Sequence, residues 1–295
     1  MFQEALRPAW VEINLSNLEY NINQIRMKAG GADVIGIIKA DGYGHGSVRV
    51  AKVLRENGVK MFGVATLQEA ITLREGGIDS SIVMLGLTPD IYADILLQYE
   101  ITPVVSSYCN AAAISKAAEK WGKILEGYAA VDTGMGRIGV LPDALGVKEI
   151  VRINALDHFK IKGLFSHFAA ADESDKTYSK LQLLRYHAVC EELETHGVNL
   201  EIKTMANSAA VMELPDAHFE SVRPGIILYG LYPSGEVNKS RLSIKPVMSV
   251  KANIIHLKKV DADFSVGYGR RFTTERESLI ATLALGYADG YPRNL

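Results

Sequence analysis

Residues 34–46, with the sequence VIGIIKADGYGHG, constrain the fold of this chain more than any other stretch. A short apolar run bounded by turn residues is typical of a buried strand in a parallel sheet that is covered on both faces. The run ends at Lys39, and a glycine-rich turn follows at once. In barrels of alternating strands and helices, the carboxyl ends of the strands carry the chemistry. The segment therefore predicts a lysine at the functional end of a parallel sheet.

Two interpretations of Lys39 remain open on this segment alone. An amine that is partly removed from water is favoured in its neutral form, which can form a Schiff base with an aldehyde. Alternatively, the side chain reaches solvent from a strand end, and the glycines only form a turn. This segment by itself does not distinguish a Schiff-base lysine from a lysine that only reaches solvent, whereas further motifs in the chain bear on the choice.

Strand-like and helix-like segments alternate along the first 240 residues. Two helix starts carry a capping box, in which serine or threonine is followed three residues later by glutamate. Thr66 and Glu69 open a predicted helix over 66–75, and Ser16 with Glu19 opens an earlier one. About eight strand–helix units occur by residue 231, which predicts an α/β fold of the closed (β/α)8 TIM-barrel type.

Beyond residue 240 the pattern changes to strand-like segments, at 247–257 and 278–285, with no helix between them. We therefore predict a barrel domain over residues 1–240 and part of a β-rich C-terminal domain over 241–295. The extreme N-terminal strand is a candidate to pair with this second domain. Few strands leave unpaired edges and little core, so we expect the second domain to be longer than this part of it.

Composition excludes several classes of function. The chain is 48% hydrophobic and 22% charged, with a net charge of −2, so neither nucleic acid nor an anionic membrane is expected as a partner. No apolar stretch is long enough to span a bilayer, and the first eight residues lack the apolar core of a signal peptide. Cys109 and Cys190 lie far apart, which favours free thiols in a reducing cytoplasm. The seven histidines form no metal-binding pattern.

Residues 134–139, GMGRIG, formally match the GxGxxG pattern of dinucleotide-binding folds. That pattern must open a helix and be followed about 20 residues later by an acidic residue at a strand end. Here Pro142 follows closely, and Asp157 lies in a polar segment. A guanidinium group binds a carboxylate through two parallel hydrogen bonds. Arg137 is therefore predicted to bind a small carboxylate rather than to belong to a nicotinamide site.

Three further polar residues lie at predicted strand ends or in turns. Ser208 comes late in the barrel, where barrels commonly bind phosphate, although a helix N-cap is the alternative role. His167 ends another strand, where histidines are often only structural. Tyr268 lies between two glycines, which leaves its phenol exposed, and it is by itself a turn tyrosine.

Taken together, these motifs resemble those of the barrel-type, pyridoxal-phosphate-dependent alanine racemase family. The similar segments, in the order of the family, are IKADGYGHG at 38–46, DTGMGRIG at 132–139, SHFA at 166–169, ANSA at 206–209, RPG at 223–225, GYG at 267–269 and GYADG at 286–290. The resemblance runs from about Pro8 to the last residue. It implies an isomerase that interconverts L-alanine and D-alanine for bacterial peptidoglycan.

The resemblance also implies how the cofactor is bound. A barrel carrying pyridoxal 5'-phosphate is followed by a β-domain, and two chains form a head-to-tail homodimer with shared active sites. Lys39 would hold the cofactor covalently. Tyr43, Ser208 and the backbone of Gly225 and Ile226 would bind its phosphate.

Substrate and acid–base roles follow from the same resemblance. Arg223 would face the pyridine nitrogen, and Arg137 would bind the substrate carboxylate. Tyr268 would be the second catalytic base in the partner's site, with His167 beside it and Tyr287 near the entrance. Racemisation needs a base on each face of a planar carbon, so one lysine is insufficient.

Two departures from the family pattern stand out. The family usually has a carbamate-forming lysine that braces the carboxylate-binding arginine, two positions before Asp132, where this chain has Ala130. The family's second domain also continues well past residue 295. A non-catalytic pyridoxal-phosphate carrier on the same barrel is the alternative, but such a carrier needs neither Tyr268 nor a second domain. Serine instead of alanine also stays open, because a small pocket rejects one hydroxyl weakly.

Overall fold

A computed structural model describes residues 8–292 of the chain, and internal contacts divide it into two compact units. The larger unit is Leu15–Val247. The smaller unit combines the described residues up to Asn14 with those from Met248 onward.

The secondary structure of the described residues alternates through the larger unit and is β-rich in the smaller one. The strands are β1 Ala9–Ile13, β2 Asp33–Ile37, β3 Met61–Val64, β4 Ser81–Leu87, β5 Ile101–Val105, β6 Leu125–Ala130, β7 Phe159–Phe165, β8 Ile202–Thr204, β9 Ser221–Val222, β10 Met248–Ala252, β11 Ile254–Val260, β12 Ser265–Val266, β13 Phe272–Thr273 and β14 Ser278–Leu283. The helices are α1 Leu15–Ala29, α2 Ser47–Glu56, α3 Leu67–Glu75, α4 Ala93–Gln98, α5 Tyr108–Lys120, α6 Ala144–Asn154, α7 Thr177–Thr195 and α8 Ser208–Glu213. Short 3₁₀ turns join several of these elements.

Strands β2 to β9 form a closed parallel barrel, which confirms the predicted fold class. Each strand pairs with the next in the chain, and β9 closes the barrel on β2 through Asp33 opposite Ser221 and Val34 opposite Val222. Closure leaves this sheet without an edge strand. Val83, Val104 and Phe165 belong to a buried cluster contributed by neighbouring strands.

One of the two predicted capping boxes is present and the other is not. Helix α3 has Thr66 as its N-cap, with the predicted capping box to Glu69. The capping box at Ser16 is wrong, because α1 already begins at Leu15. Ser16 therefore lies inside the first helical turn, where its side chain does not cap the helix.

The smaller unit consists of three two-stranded antiparallel sheets: β1 with β10, β11 with β14, and β12 with β13. The N-terminal strand β1 pairs along its length with β10, from Ala9 opposite Ala252 to Ile13 opposite Met248. The segment predicted as one strand over 247–257 is in fact two, β10 and β11. Among residues 8–292, no helix is long and apolar enough to cross a membrane, and no group of side chains forms a metal-binding cluster.

Candidate active site

The chain makes a left-handed turn directly after β2, at Lys39. Four consecutive residues have φ between +51° and +62°, namely Ala40, Asp41, Gly42 and Tyr43. This region costs an L-residue about 1–2 kcal/mol, and only one of the four is glycine. Such strain persists where surrounding contacts enforce it, and it concentrates at functional sites.

Two carboxylates hold the strained turn in place. Asp41 Oδ1 accepts the backbone N–H of Ser47 at 2.7 Å. Glu69 accepts the N–H of Ala40 at 2.8 Å through one oxygen and that of Ala65 at 2.7 Å through the other. Glu69, which completes the capping box of α3, therefore also fixes the backbone beside Lys39.

A cavity of about 540 Å³ opens at the carboxyl ends of the barrel strands. The residues predicted for the site from the barrel half of the sequence all line it, namely Lys39, Tyr43, Arg137, His167, Ser208, Arg223, Gly225 and Ile226. Lys39 Nζ lies 6.0 Å from the centroid of the Tyr43 ring and has no hydrogen bond or ion pair within residues 8–292. It is therefore available to a ligand.

One wall of the cavity brings two hydroxyl groups close to a glycine backbone. The N-cap of α8 is Asn207, whose side chain accepts from Ala210 N at 3.0 Å, so the alternative role of Ser208 as an N-cap is wrong. Ser208 Oγ instead accepts the N–H of Gly225 at 2.8 Å, which leaves its own proton for a ligand. A Cβ on Gly225 would come within 2.7 Å of the Tyr43 hydroxyl, so only glycine leaves this space open.

Arg223 is a buried cation with neutral partners. Its guanidinium donates to Thr204 Oγ1 at 2.7 Å, to the Ser166 carbonyl and to His167 Nδ1 at 3.1 Å, and it lies 4.3 Å above the Phe165 ring. Burial lowers the pKa of Arg223 to about 9. The side chain is therefore still protonated at neutral pH, and none of its hydrogen-bond partners among residues 8–292 is a carboxylate.

His167 is held in its neutral form. Burial lowers the pKa of His167 to about 3, and the nearby cations Arg223, Arg137 and Lys39 act in the same direction. Because a guanidinium only donates hydrogen bonds, Nδ1 must be the acceptor toward Arg223. The ring proton is therefore on Nε2, which can donate to a further group.

Arg137 projects from a loop whose backbone is fixed by a neighbouring carboxylate. Asp132 Oδ1 accepts the N–H groups of residues 134–136 at 2.8–3.0 Å. The Arg137 guanidinium itself makes no hydrogen bond or ion pair with the described part of the chain. Ala130 is 1% exposed within an apolar cluster that includes Phe165, so this position offers no acceptor either.

The glycine pattern of this loop does not form a dinucleotide site. The next helix, α6, begins only at Ala144, with Asp143 as its N-cap. Residues 134–139 therefore do not open a helix, which a pyrophosphate-binding turn requires.

Tyr268 and Tyr287 belong to the smaller unit, where they line a hollow of about 260 Å³ with Arg271, Tyr291 and Pro292. Tyr268 is 84% exposed, as expected from its position between two glycines, which have φ of +75° and +73°. Its phenol can therefore reach another surface.

Sequence reasoning missed two buried residues that support the site. Thr204 ends β8 and accepts from Arg223, and Gln182 on α7 bonds to the backbone on both sides of Phe168. A sequence signal for Gln182 exists, because Tyr178, Gln182 and Arg185 place polar groups on one helix face.

Comparison with known proteins supports these observations. The family described as alanine racemase, N-terminal domain, matches residues 13–233, and the corresponding C-terminal domain family matches residues 247–295. This chain belongs to the alanine racemase family. An alanine racemase of Clostridium kluyveri is 52% identical over 295 residues, which cover all of this chain and 75% of that relative. The predictions of the family and of an isomerase are thereby confirmed.

Solved structures agree with this membership. The alanine racemase of Clostridium difficile 630 has a TM-score of 0.91 and 41% identity, over 97% of this chain and 75% of that one. A histidine racemase from Leuconostoc mesenteroides subsp. sake has a TM-score of 0.87 and 28% identity, over 98% of this chain and 77% of that one. The same architecture thus occurs in a racemase named for a different amino acid.

Proposed function

We propose that this chain interconverts L-alanine and D-alanine with pyridoxal 5'-phosphate as its cofactor. Lys39 and Tyr268 act as bases on opposite faces of the substrate α-carbon. The observation that carries the proposal is one cavity with an available amine, a buried arginine and two hydroxyls beside a glycine backbone. The larger unit, Leu15–Val247, supplies the cofactor site, and the smaller β-rich unit supplies Tyr268.

The residues of the cavity fit an anionic aldehyde cofactor. The Tyr43 and Ser208 hydroxyls converge at Gly225, where a Cβ would fill the space, so this wall suits a phosphate. The backbone of Gly225 and Ile226 completes that wall. Lys39 would bond to the aldehyde carbon. Lys39, Arg137 and Arg223 make the cavity cationic, which favours a ligand carrying phosphate and carboxylate.

Proton transfer is the task of the protein in this proposal. Pyridoxal phosphate, when bound, supplies a conjugated ring that withdraws the electrons left by the departing α-proton. In one direction the Lys39 amine removes the α-proton on one face and the Tyr268 phenol donates a proton on the other. In the reverse direction the Tyr268 phenolate removes the proton and Lys39 Nζ returns one. His167 Nε2–H is available as a hydrogen-bond donor to that phenol.

Arg223 and Arg137 fix electronics and orientation. Arg223 stays protonated near neutral pH and only donates. It would therefore hold the pyridine nitrogen of the cofactor by a hydrogen bond without protonating it, which would make the ring a weaker electron sink and limit side reactions such as transamination. Arg137 has its hydrogen-bonding groups free for a bidentate bond to the substrate carboxylate.

A second copy of the chain supplies Tyr268 to each site, as a head-to-tail homodimer with shared active sites. The exposure of Tyr268 supports this proposal, because its phenol is not packed within its own chain and is therefore accessible to another chain. Tyr287 lies near the entrance of the shared site. The product D-alanine serves bacterial peptidoglycan synthesis in the cytoplasm, where Cys109 and Cys190 stay free thiols, as they are here.

Mixing two inactive variants tests the shared site. Lys39→Ala and Tyr268→Phe homodimers should each lack racemisation, whereas subunit exchange should restore activity through hybrid dimers with one intact site. Exchange is followed by native mass spectrometry and D-alanine formation by circular dichroism. Hybrid dimers that form and remain inactive would contradict the shared site.

The substrate is tested with the same protein by comparing kcat/KM for alanine and serine. We expect alanine to be preferred by about 10–100-fold, since one extra group in a small pocket has an effect of that size. A higher value for serine would contradict alanine as the substrate while leaving the two-base mechanism intact.

A further inference from the structure

Helix α7 turns a polar face toward the loops that follow β6 and β7. Its side chains Tyr178, Gln182 and Arg185 are spaced by four and three residues, which places them on one face. Tyr178 and Arg185 each donate to a backbone carbonyl of the loop after β6, at 2.8 and 2.9 Å. This face of α7 therefore holds the backbone of the loop after β6.

Gln182 joins this loop to the segment after β7. Its side chain is fully buried. Nε2 donates to the His167 carbonyl at 3.1 Å and to Thr133 Oγ1 at 3.3 Å, while Oε1 accepts the N–H of Ala169 at 3.0 Å. A backbone N–H only donates and a carbonyl only accepts, so the two partners fix the orientation of the amide. Neither a carboxylate nor an apolar side chain can satisfy both.

The bond to Thr133 continues as a directed chain of hydrogen bonds. Ser166 Oγ lies 2.8 Å from the Val131 carbonyl, to which it must donate. Thr133 Oγ1 lies 2.9 Å from Ser166 Oγ and therefore donates to it, which leaves Thr133 to accept from Gln182. Thr133 and Ser166 are both at most 1% exposed. The network thus ties the ends of β6 and β7 together without a water-accessible link.

Both ends of this network lead to groups of the proposed site. Thr133 lies four residues before Arg137 in the loop that Asp132 shapes. On the other side, His167 offers its carbonyl to Gln182 and its Nδ1 to Arg223. Since the Arg137 guanidinium has no partner in residues 8–292, its position depends on the backbone of its loop.

We propose that Gln182 is a positioning residue whose amide sets the spacing between the Arg137 loop and His167, and thereby the affinity for the substrate carboxylate. This inference rests on the proposed function, in which Arg137 binds that carboxylate. Gln182 touches no reacting group and acts through the backbone of the two loops.

Propionate, which has the carboxylate of alanine without its amine, is the probe. Its dissociation constant is measured by isothermal titration calorimetry on the pyridoxal-phosphate-loaded protein, together with KM and kcat for alanine. Gln182→Met keeps the size of the side chain but removes both directions of hydrogen bonding. We expect the dissociation constant and KM to rise about tenfold, the effect of leaving buried backbone groups unpaired. The value of kcat should change less than KM.

Arg74→Met is the matched stability control. Arg74 donates to the carbonyls of four residues just before β4 and β5, at the opposite end of the barrel. Its loss should lower Tm at least as much as Gln182→Met while leaving propionate binding within twofold. Thr133→Val removes only the hydroxyl link and should raise the dissociation constant about threefold. If Gln182→Met does not fold, the propionate affinity of Thr133→Val is the test of the inference.

Three outcomes would overturn the inference. First, Gln182→Met could bind propionate within twofold of the unaltered protein despite a lower Tm, which would make the network purely structural. If Gln182→Met does not fold, the same result for Thr133→Val has the same meaning. Arg74→Met could weaken binding equally, which would make the effect a general loss of stability. Finally, Arg137→Gln could leave propionate binding unchanged. In that case the proposed role of Arg137 itself fails, and the inference falls with it.

Discussion

The barrel unit and the smaller β unit use tyrosine hydroxyl groups in opposite ways. In the barrel, Tyr186 and Tyr229 are at most 1% exposed, and each donates to a strand carbonyl, at 2.7 and 3.0 Å. In the smaller unit, Tyr268, Tyr287 and Tyr291 are 84%, 59% and 47% exposed.

The difference follows from the two kinds of sheet. A closed barrel has no edge and buries side chains on both of its faces, so the hydroxyls of Tyr186 and Tyr229 meet strand carbonyls there. Two-stranded sheets bury little, and their side chains remain accessible. The barrel therefore positions chemical groups by its own packing, whereas the tyrosine side chains of the smaller unit remain exposed to solvent.

Removing the amine of the barrel site should have the largest effect. Lys39→Ala should lower alanine racemisation by at least about 10³-fold, because both covalent cofactor binding and one base are lost. Borohydride reduction of the unaltered protein should fix the cofactor on the peptide that contains Lys39. Recovery of the label on another lysine, or full activity of Lys39→Ala, would contradict the assignment. Lys60→Ala, an exposed change on the same barrel, serves as the control.

Deleting one hydroxyl in each unit should separate activity from stability. Tyr268→Phe should lower kcat by about 10²–10⁴-fold, the usual contribution of a general base, with unchanged Tm and cofactor absorbance. Tyr186→Phe should instead lower the free energy of unfolding by about 1–3 kcal/mol, since Leu164 O and Thr204 N lose their buried partner. A fall in Tm for Tyr268→Phe would show that the two units do not differ in the way described.

The pH dependence of stability should come from the barrel. Burial lowers the pKa of His167 to about 3, whereas a histidine in an unfolded chain titrates near 6.5. Below about pH 6.5 the unfolded state binds a proton that the folded state does not, so this contribution to stability is complete above pH 6.5 and declines toward pH 3. Lowering the pH from 7 to 5 should therefore reduce the free energy of unfolding by about 2 kcal/mol through this residue.

Urea titrations of two variants sharpen that test. His167→Asn should show a pH dependence smaller by this amount, whereas His256→Asn, at an exposed position of the smaller unit, should behave as the unaltered protein. An identical pH dependence in His167→Asn would argue against a neutral His167 in the folded protein.

The smallest expected effect is a gain in stability at the strained turn. Ala40→Gly should raise the free energy of unfolding by about 1 kcal/mol, because glycine adopts the left-handed conformation of Ala40 without the steric cost. Ala113→Gly, in the right-handed helix α5, should lower it by about 1 kcal/mol. Thermal unfolding of both variants measures the difference. A loss of stability in Ala40→Gly would mean that the turn stores no strain.

The barrel half of the site was largely predictable from sequence, because a strand with an apolar run places the next residue at its carboxyl end. Lys39 follows such a run directly and His167 follows one after a single serine, and a barrel brings all strand ends together. Arg223 is different, because it follows a strand of only two residues, Ser221 and Val222, and is placed by the motif around it. The support of these residues was not predictable in the same way. Gln182 reaches its partners from a helix packed outside the strands, and no local pattern encodes which loop a helical side chain will meet.

The sequence by itself determined the alternating elements, the closed barrel and the family, since periodicity, capping and motif order are local properties. It also identified Ala130 as a departure from the family pattern. Only the tertiary structure decided that Ser208 accepts from Gly225 instead of capping a helix, that His167 is neutral, and that Arg137 has no partner within the described residues. The physical reason is that desolvation and hydrogen-bond direction depend on which groups packing brings together across distant parts of the chain.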